Sequence, residues 1–267
     1  MHYFLRHTRL YVKLLFLHLR SHLEYNLDFL IGALSSLLGQ AASLIFIWAV
    51  FSRIPKVQGW TIWEVAFLYG MATIPRGMAE VFMNGSWAMR RLVSSGDFDR
   101  LLLRPVPIIL QIVTQRFNVT GLTDIAVGAS VLGVSASHLG ISWNLIDCVF
   151  LLVVLVCGMG IIGVVNIATN SLAFWHPDDT GAFQVFVVRF MNLAQYPVTI
   201  YGQVLQIFLC WIVPYAFVGY FPALVLLRKN IDHAWLGWFS PVVLIGVSLI
   251  TSLIWRRGLR HYESAGH

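Results

Sequence analysis

The apolar positions of this chain fall in long continuous runs separated by short polar punctuation, and the run from Phe29 to Phe51 contains no charged residue. A helix needs roughly 20 mostly apolar residues to cross the hydrocarbon of a bilayer, so that run alone is long enough. The same reading predicts spans near 28–52, 62–84, 108–135, 144–174, 198–220 and 238–255. Membrane barrels instead show segments of about 10 residues with alternating apolar and polar positions, a pattern these runs exclude. The expected fold class is an all-α integral membrane protein with six transmembrane helices, since a helix satisfies its own backbone polar groups within lipid.

Ahead of the first span the pattern changes period. In "MHYFLRHTRLYVKLLFLHLRSHLEYNL", a turn of about 100° per residue gathers His2, Arg6, Arg9, Lys13, Arg20 and Glu24 on one stripe and leaves the rest apolar or aromatic. Such a helix lies in the headgroup layer with its basic stripe toward anionic lipid. Residues 1–26 are therefore expected as an interfacial anchor and 27–267 as the six-helix domain. The segment lacks the compact apolar region and small-residue site of a cleaved leader, so it is expected to stay with the protein. Further along, Pro197 opens the fifth predicted span, and Pro214 and Pro222 bracket "PYAFVGYFPALVLLRKN". Proline removes a helical hydrogen bond and clashes with the preceding turn. Broken or re-entrant outer helices are expected there, before the last span.

Composition agrees: 58% apolar residues, 11% charged residues and a mean hydropathy of +0.75 exceed what one soluble core could hide. The net charge of +6 adds an orientation. With a cytoplasmic amino terminus, inner segments collect Arg6, Arg9, Lys13, Arg20, Arg90, Arg91, Arg100, Arg104, Arg189, Arg256, Arg257 and Arg260, whereas outer ones hold Arg53, Lys56, Arg228 and Lys229. That bias predicts both termini in the cytoplasm. Trp60, Trp63, Trp143, Trp235 and Trp238 then fall near outer ends and Trp87, Trp175 and Trp255 near inner ends, as an interfacial belt requires. Because topology accounts for the basic residues, nucleic acid is excluded as a partner and membrane lipid is the expected contact.

Few motifs carry chemistry. "GMGIIG", Gly158 to Gly163, matches a dinucleotide fingerprint literally, but it lies inside an apolar run with no preceding strand, where small residues serve helix packing. His176, Asp178 and Asp179 in "FWHPDDTGAF" read as a helix stop and cap rather than a metal site. Cys148, Cys157 and Cys210 fall within predicted spans and read as packing residues. No metal, catalytic group or bound cofactor is expected on this chain, and no phosphate-cradling G-x-x-x-x-G-K-[ST] loop occurs in it. More informative are the polar residues inside spans, since each charge there costs on the order of 2.5–3.5 kcal/mol at a helix centre. Arg76 and Glu80, four apart, share a helix face and can pair, while Arg116, Asn118 and Asp124 make the third span polar. These five are candidates either for a translocation path or for interhelical pairing.

Charge also collects in "MRRLVSSGDFDRLLLRPVP", residues 89–107. A basic helical end is followed by Ser94-Ser95-Gly96 and a short amphipathic segment in which Phe98, Leu101 and Leu102 share a face. An amphipathic helix between two spans suits a groove on a protein partner. This run, with "AQYP" at 194–197, "IVPYAFVGYFPA" at 212–223 and the ending "RRGLRHYESAG" at 256–266, resembles the permease subunits of bacterial ATP-binding-cassette exporters, in the ABC-2-type branch long labelled as a domain of unknown function.

The resemblance implies a permease in the bacterial inner membrane with an elbow helix at 2–24 and a cytoplasmic coupling helix around 90–104. Its ATPase-coupling residues would be Arg90, Arg91, Gly96, Asp97, Phe98, Asp99, Arg100, Leu102 and Arg104. It further implies a separate ATPase present in two copies, which would carry ATP and Mg, and a second related permease in a heterodimer or homodimer. A secondary transporter or channel, and then a membrane-embedded enzyme, are the alternatives. No inverted internal repeat is visible to favour the first of these.

Overall fold

A computed structural model describes residues 26–115, 118, 120–176, 181–229, 231 and 233–263. The expected elbow helix with Arg6, Arg9, Lys13 and Arg20, and also Arg116, lies outside the described residues. Those described form a helical bundle with no β-strand among them. Helices α1 (Asn26–Phe51) and α2 (Ile62–Met83) are followed by a 3₁₀ turn (Asn84–Ala88) and three short helices, α3 (Met89–Ser94), α4 (Phe98–Leu102) and α5 (Ile108–Val113). Then come α6 (Thr120–His138), α7 (Leu145–Asn170), which a 3₁₀ turn extends to Phe174, and α8 (Ala182–Leu193). The chain closes with α9 (Gln203–Ile207), prolonged by a π-turn to Ile212, then α10 (Tyr220–Leu226) and α11 (Ser240–His261).

Helix α2 is the axis of the bundle. It starts on a capping box, in which the Glu64 backbone N–H donates to Thr61 Oγ1 and the Thr61 N–H donates to the Glu64 carboxylate at 2.8 Å. Its buried residues run from Val65 to Val81 and face several neighbours at once. The closest neighbour is α6. Gly70 and Gly77 on α2 meet Gly128 and Gly121 on α6, each pair seven residues apart, so the two antiparallel backbones touch. A Cβ on Gly77 would stand 2.5 Å from the Gly121 carbonyl oxygen, and one on Gly121 equally close to that of Gly77. Where lipid gives no hydrophobic drive between helices, such backbone contact is what holds them. The Gly158–Gly163 run of α7 is likewise a packing seam, with Gly158 against Pro75 and Gly163 against Met83 of α2, and Gly160 against Leu244 of α11.

Among the described residues four stretches are long and apolar enough to cross a membrane: Leu30–Phe51, Thr120–His138, Leu145–Phe174 and Ala234–His261. A pair bent by 73°, Gln203–Ile212 and Tyr215–Leu226, makes a fifth if counted as one. The bend falls at Pro214, within the stretch where broken outer helices were expected. The expected 108–135 helix is also divided. Asn118 Oδ1 accepts from the Thr120 backbone N–H at 3.1 Å and from its hydroxyl at 2.7 Å, so Asn118 caps a fresh helix start. Helix α2, with Glu64, Arg76 and Glu80, falls outside the apolar set, as suits a helix surrounded by protein.

The bundle has two distinct ends. At one, Lys229 Nζ lies 2.7 Å from Glu64 and 4.0 Å from the Trp60 ring centroid, and Arg228 reaches Asp147 at 3.4 Å. At the other, a small separate core gathers Met89, Val93, Phe98, Leu101, Ile112, Ile167, Phe174 and Trp255. Trp143, Trp235 and Trp238 are exposed as a belt requires, but Trp60 and Trp255 are buried, one under Lys229 and one in the small core.

Candidate functional site

Between α1, α2, α6, α7 and α8 lies a cavity of about 580 Å³, inside an otherwise apolar bundle. Its walls mix apolar side chains such as Ile162, Val188 and Met191 with many polar ones. Ser35, Ser36, Gly39 and Gln40 come from α1, Tyr69, Arg76 and Glu80 from α2, and Thr120 and Asp124 from α6; Asn166 and Asn192 close it from α7 and α8. The four-residue rhythm of small and polar residues on α1, Gly32, Ser36, Gln40, places one polar stripe inward, while Leu34, Leu37, Leu38, Ile45 and Phe46 face out.

Asp124 is the hub of this wall. Arg76 donates to its Oδ2 from Nε at 3.1 Å and Nη2 at 2.9 Å. Ser36 and Gln40 donate to its Oδ1 at 2.6 and 2.7 Å, and Tyr69 in turn donates to Gln40 Oε1. With both carboxylate oxygens hydrogen-bonded and a guanidinium alongside, an ion pair only 20% and 5% exposed is accounted for. The Arg76–Glu80 pair that the spacing allows does not form. Arg76 is drawn across the glycine seam to Asp124, and Glu80 accepts instead from Thr120 Oγ1 at 3.2 Å. Thus Arg76, Glu80 and Asp124 converge on the cavity, whereas Asn118 caps α6 outside its wall. Gln40, Tyr69, Asn166, Asn192 and Gln195 also line it without having been singled out by sequence, because they are uncharged and each lies alone in an apolar run. Asn166 Oδ1 and Gln195 Nε2 are buried with no hydrogen-bond partner among the described residues.

The charged island consists of two short helices, divided at the Ser94-Ser95-Gly96 break read from its sequence, where the resemblance implied one coupling helix around 90–104. Gly96, at φ +73°, ends α3, and α4 begins afresh at Phe98. Its apolar face is satisfied within the chain. Phe98 is fully buried in edge contacts with Phe174 and Tyr262, at 5.2 and 4.9 Å, and Leu101 lies 4% exposed beside them. Leu102 leaves that face and is 43% exposed. The predicted groove partner for Phe98 is therefore the chain itself, brought from a distance of more than seventy residues that no local pattern encodes.

Asp99 accepts from the Tyr262 hydroxyl at 3.0 Å, and burial, aided by the Asp99 carboxylate, pushes that phenol up to about 12. Asp97 accepts from Ser95 Oγ at 2.9 Å and lies 3.4 Å from Arg100. Arg90 lies against Gly181 at the start of α8. What faces outward is Arg91, Ser94, Arg100, Leu103 and Arg104, continued by Arg256, Arg257 and Arg260 of α11, a surface dominated by positive charge.

Among the described residues no group of His, Cys, Asp and Glu is placed to hold a metal ion. A family model described as "ABC-2 family transporter protein" matches residues 37–266. No curated protein and no solved structure matches the chain.

Proposed function

The chain belongs to the ABC-2 family of transporter proteins, and from that membership we propose that it is the permease subunit of an ATP-driven exporter. As a family member it is a multi-pass membrane component of a transporter. The observation that carries the finer reading is the polar cavity between α1 and α8. A soluble-protein core has no use for such a wall, and intramembrane charges are retained where they serve a path or a pair. The cavity runs from Tyr69 near the middle of α2 to Trp87, toward the end that carries the basic 89–104 segment. With that end cytoplasmic, as the positive-inside bias predicts, the cavity is loaded from inside, which supports export.

ATP and Mg reside on the partner in this reading: a separate ATPase, in two copies, docks on the outward basic face of α3 and α4, its closure driving the bundle between two arrangements. A second permease, related or identical, covers the exposed apolar side chains of α1, among them Leu34, Leu38 and Phe46, completing a path at the interface. Thr199 before the bent pair and Lys229 after it both meet Trp60, so the pair is read as re-entrant, α2 and the α8 segment complete a count of six crossings, and the positive-inside bias supports the cytoplasm for both termini.

The test is co-purification from the native membrane. An ATPase with nucleotide-binding motifs is expected with the wild-type chain, and a double Arg100→Glu and Arg104→Glu substitution should reduce its recovery at least tenfold while the permease still inserts. Both arginines are exposed, so charge reversal there leaves the Phe98 core intact. Undiminished recovery would overturn the docking face, and ion-driven uptake by the purified chain alone would overturn the permease reading.

A further inference from the structure

The charges around the cavity do not balance. Among the described residues its wall holds one guanidinium, Arg76, and two carboxylates, Asp124 and Glu80. Arg76 is committed to Asp124 through Nε and Nη2, and its remaining Nη1 is turned to Asn192 Oδ1 at 3.5 Å. Glu80 accepts a hydroxyl hydrogen bond and enters no ion pair with a described cation. The same wall has further polar and aromatic residues along its length. Gln195 is 4% exposed with an unpartnered amide nitrogen, and Asn166 carries an unpartnered carbonyl oxygen. Trp87 and Tyr196 contribute aromatic rings to the same wall.

An anion entering this space would meet Glu80, and a neutral apolar molecule would leave that carboxylate without a counter-charge. A positively charged organic molecule is drawn by the carboxylate and by aromatic rings, whose faces carry negative potential. Pockets for small organic ligands commonly enclose about 300–1,000 Å³, and this cavity, at about 580 Å³, falls within that range. We propose that the cavity is a binding site for an organic cation, with Glu80 as its counter-charge and Trp87, toward the same end of the cavity, as its aromatic wall. The proposal rests on the transport reading, since it names the class of cargo taken by that cavity. The cation is either a free amphipathic molecule or the amine of a lipid headgroup.

The experiment compares two probes of one shape and opposite charge, tetraphenylphosphonium and tetraphenylborate, by equilibrium dialysis against the full chain in a neutral maltoside detergent. Saturable binding of the phosphonium at one site per chain is expected, weakened at least tenfold by Glu80→Gln and largely restored by Glu80→Asp. The Glu80→Gln side chain still accepts from Thr120, and an unchanged thermal midpoint verifies that it is folded. Equal phosphonium affinity in wild type and Glu80→Gln, or saturable borate binding of equal strength, overturns the proposal. Displacement of the phosphonium by phosphatidylethanolamine titrated into the micelles assigns the cation to a lipid headgroup; retention assigns it to a free molecule, and both support the site. Should the phosphonium fail to bind while the ATPase still co-purifies, the cargo class falls and the permease stands. Should it bind through Glu80 with no ATPase recovered, the site stands and the permease reading falls.

Discussion

Arg76 and Glu80 are four residues apart on one helix, the spacing at which opposite charges ordinarily pair, yet Arg76 turns to α6. Asp124 offers the better arrangement because Ser36 and Gln40 satisfy its other oxygen, so the carboxylate is fully compensated when the guanidinium arrives. The pair is consequently vulnerable from either side. Asp124→Asn leaves the Arg76 charge without its partner at 20% exposure, and breaking a buried pair in this way costs about 3–5 kcal/mol. The loss should appear as a lowered thermal midpoint in detergent, partly recovered in the double Arg76→Gln, Asp124→Asn chain. A single substitution costing less than about 1 kcal/mol would mean that the pair is solvated through the cavity and structurally idle. Transport assays sharpen the division of roles: Glu80→Gln should impair transport with little change in that midpoint, since Glu80 is held by a hydroxyl alone.

Among elements, the α2–α6 contact decides the site, because it sets Arg76 beside Asp124. The glycines responsible lie seven apart on each helix, and substitution puts a methyl group against a backbone oxygen that has nowhere to go. Gly77→Ala should cost about 1–3 kcal/mol as overpacking, while Gly133→Ala on the same α6, where a Cβ meets nothing, should be neutral or slightly stabilising. Thermal denaturation of the two variants side by side checks the seam; equal midpoints would refute it. Much at this scale could be read in advance. Continuous apolar runs located α1, α7 and α11, and Pro214 marked a break. The division of α5 from α6 was missed because Asn118 acts through a cap, a single side-chain geometry that hydropathy does not register. The inward turn of Phe98 was missed for a related reason: amphipathicity reports that a face needs covering, not which distant Phe174 or Tyr262 covers it.

For the molecule as a whole, sequence gave the class and the charged members of the site, while the neutral members and the cavity itself emerge only when α1, α2 and α8 converge. That convergence is asymmetric. Toward the 89–104 end the space is lined by Asn84 and Trp87, whereas toward the opposite end Trp60, Leu209, Tyr215 and Tyr220 belong to the apolar core and form an apolar plug. Over that plug Lys229 bridges three things: the Glu64 carboxylate at 2.7 Å, the Gly59 carbonyl at 3.0 Å and the Trp60 ring, while Trp60 donates to Thr199 at 3.2 Å. The lysine therefore ties the α1–α2 turn and the start of α2 to the chain following α10. A permease that alternates access must loosen this end when the other closes. Lys229→Met removes charge-assisted hydrogen bonds worth about 1.5–3 kcal/mol, biasing the bundle toward opening there without touching the cavity. A cysteine placed at the exposed cavity residue Ser35, in a chain whose Cys148, Cys157 and Cys210 are replaced by serine, reports the effect. A membrane-impermeant thiol reagent should reach it from the 89–104 side in the parent chain and from both sides once Lys229→Met is added. Glu64→Gln alone, which takes the charged acceptor from Lys229, should open the far side in the same direction but less, since the Gly59 carbonyl contact remains. Access from the far side that is equal with and without Lys229→Met would show that the plug, and not the lysine bridge, sets the closed state.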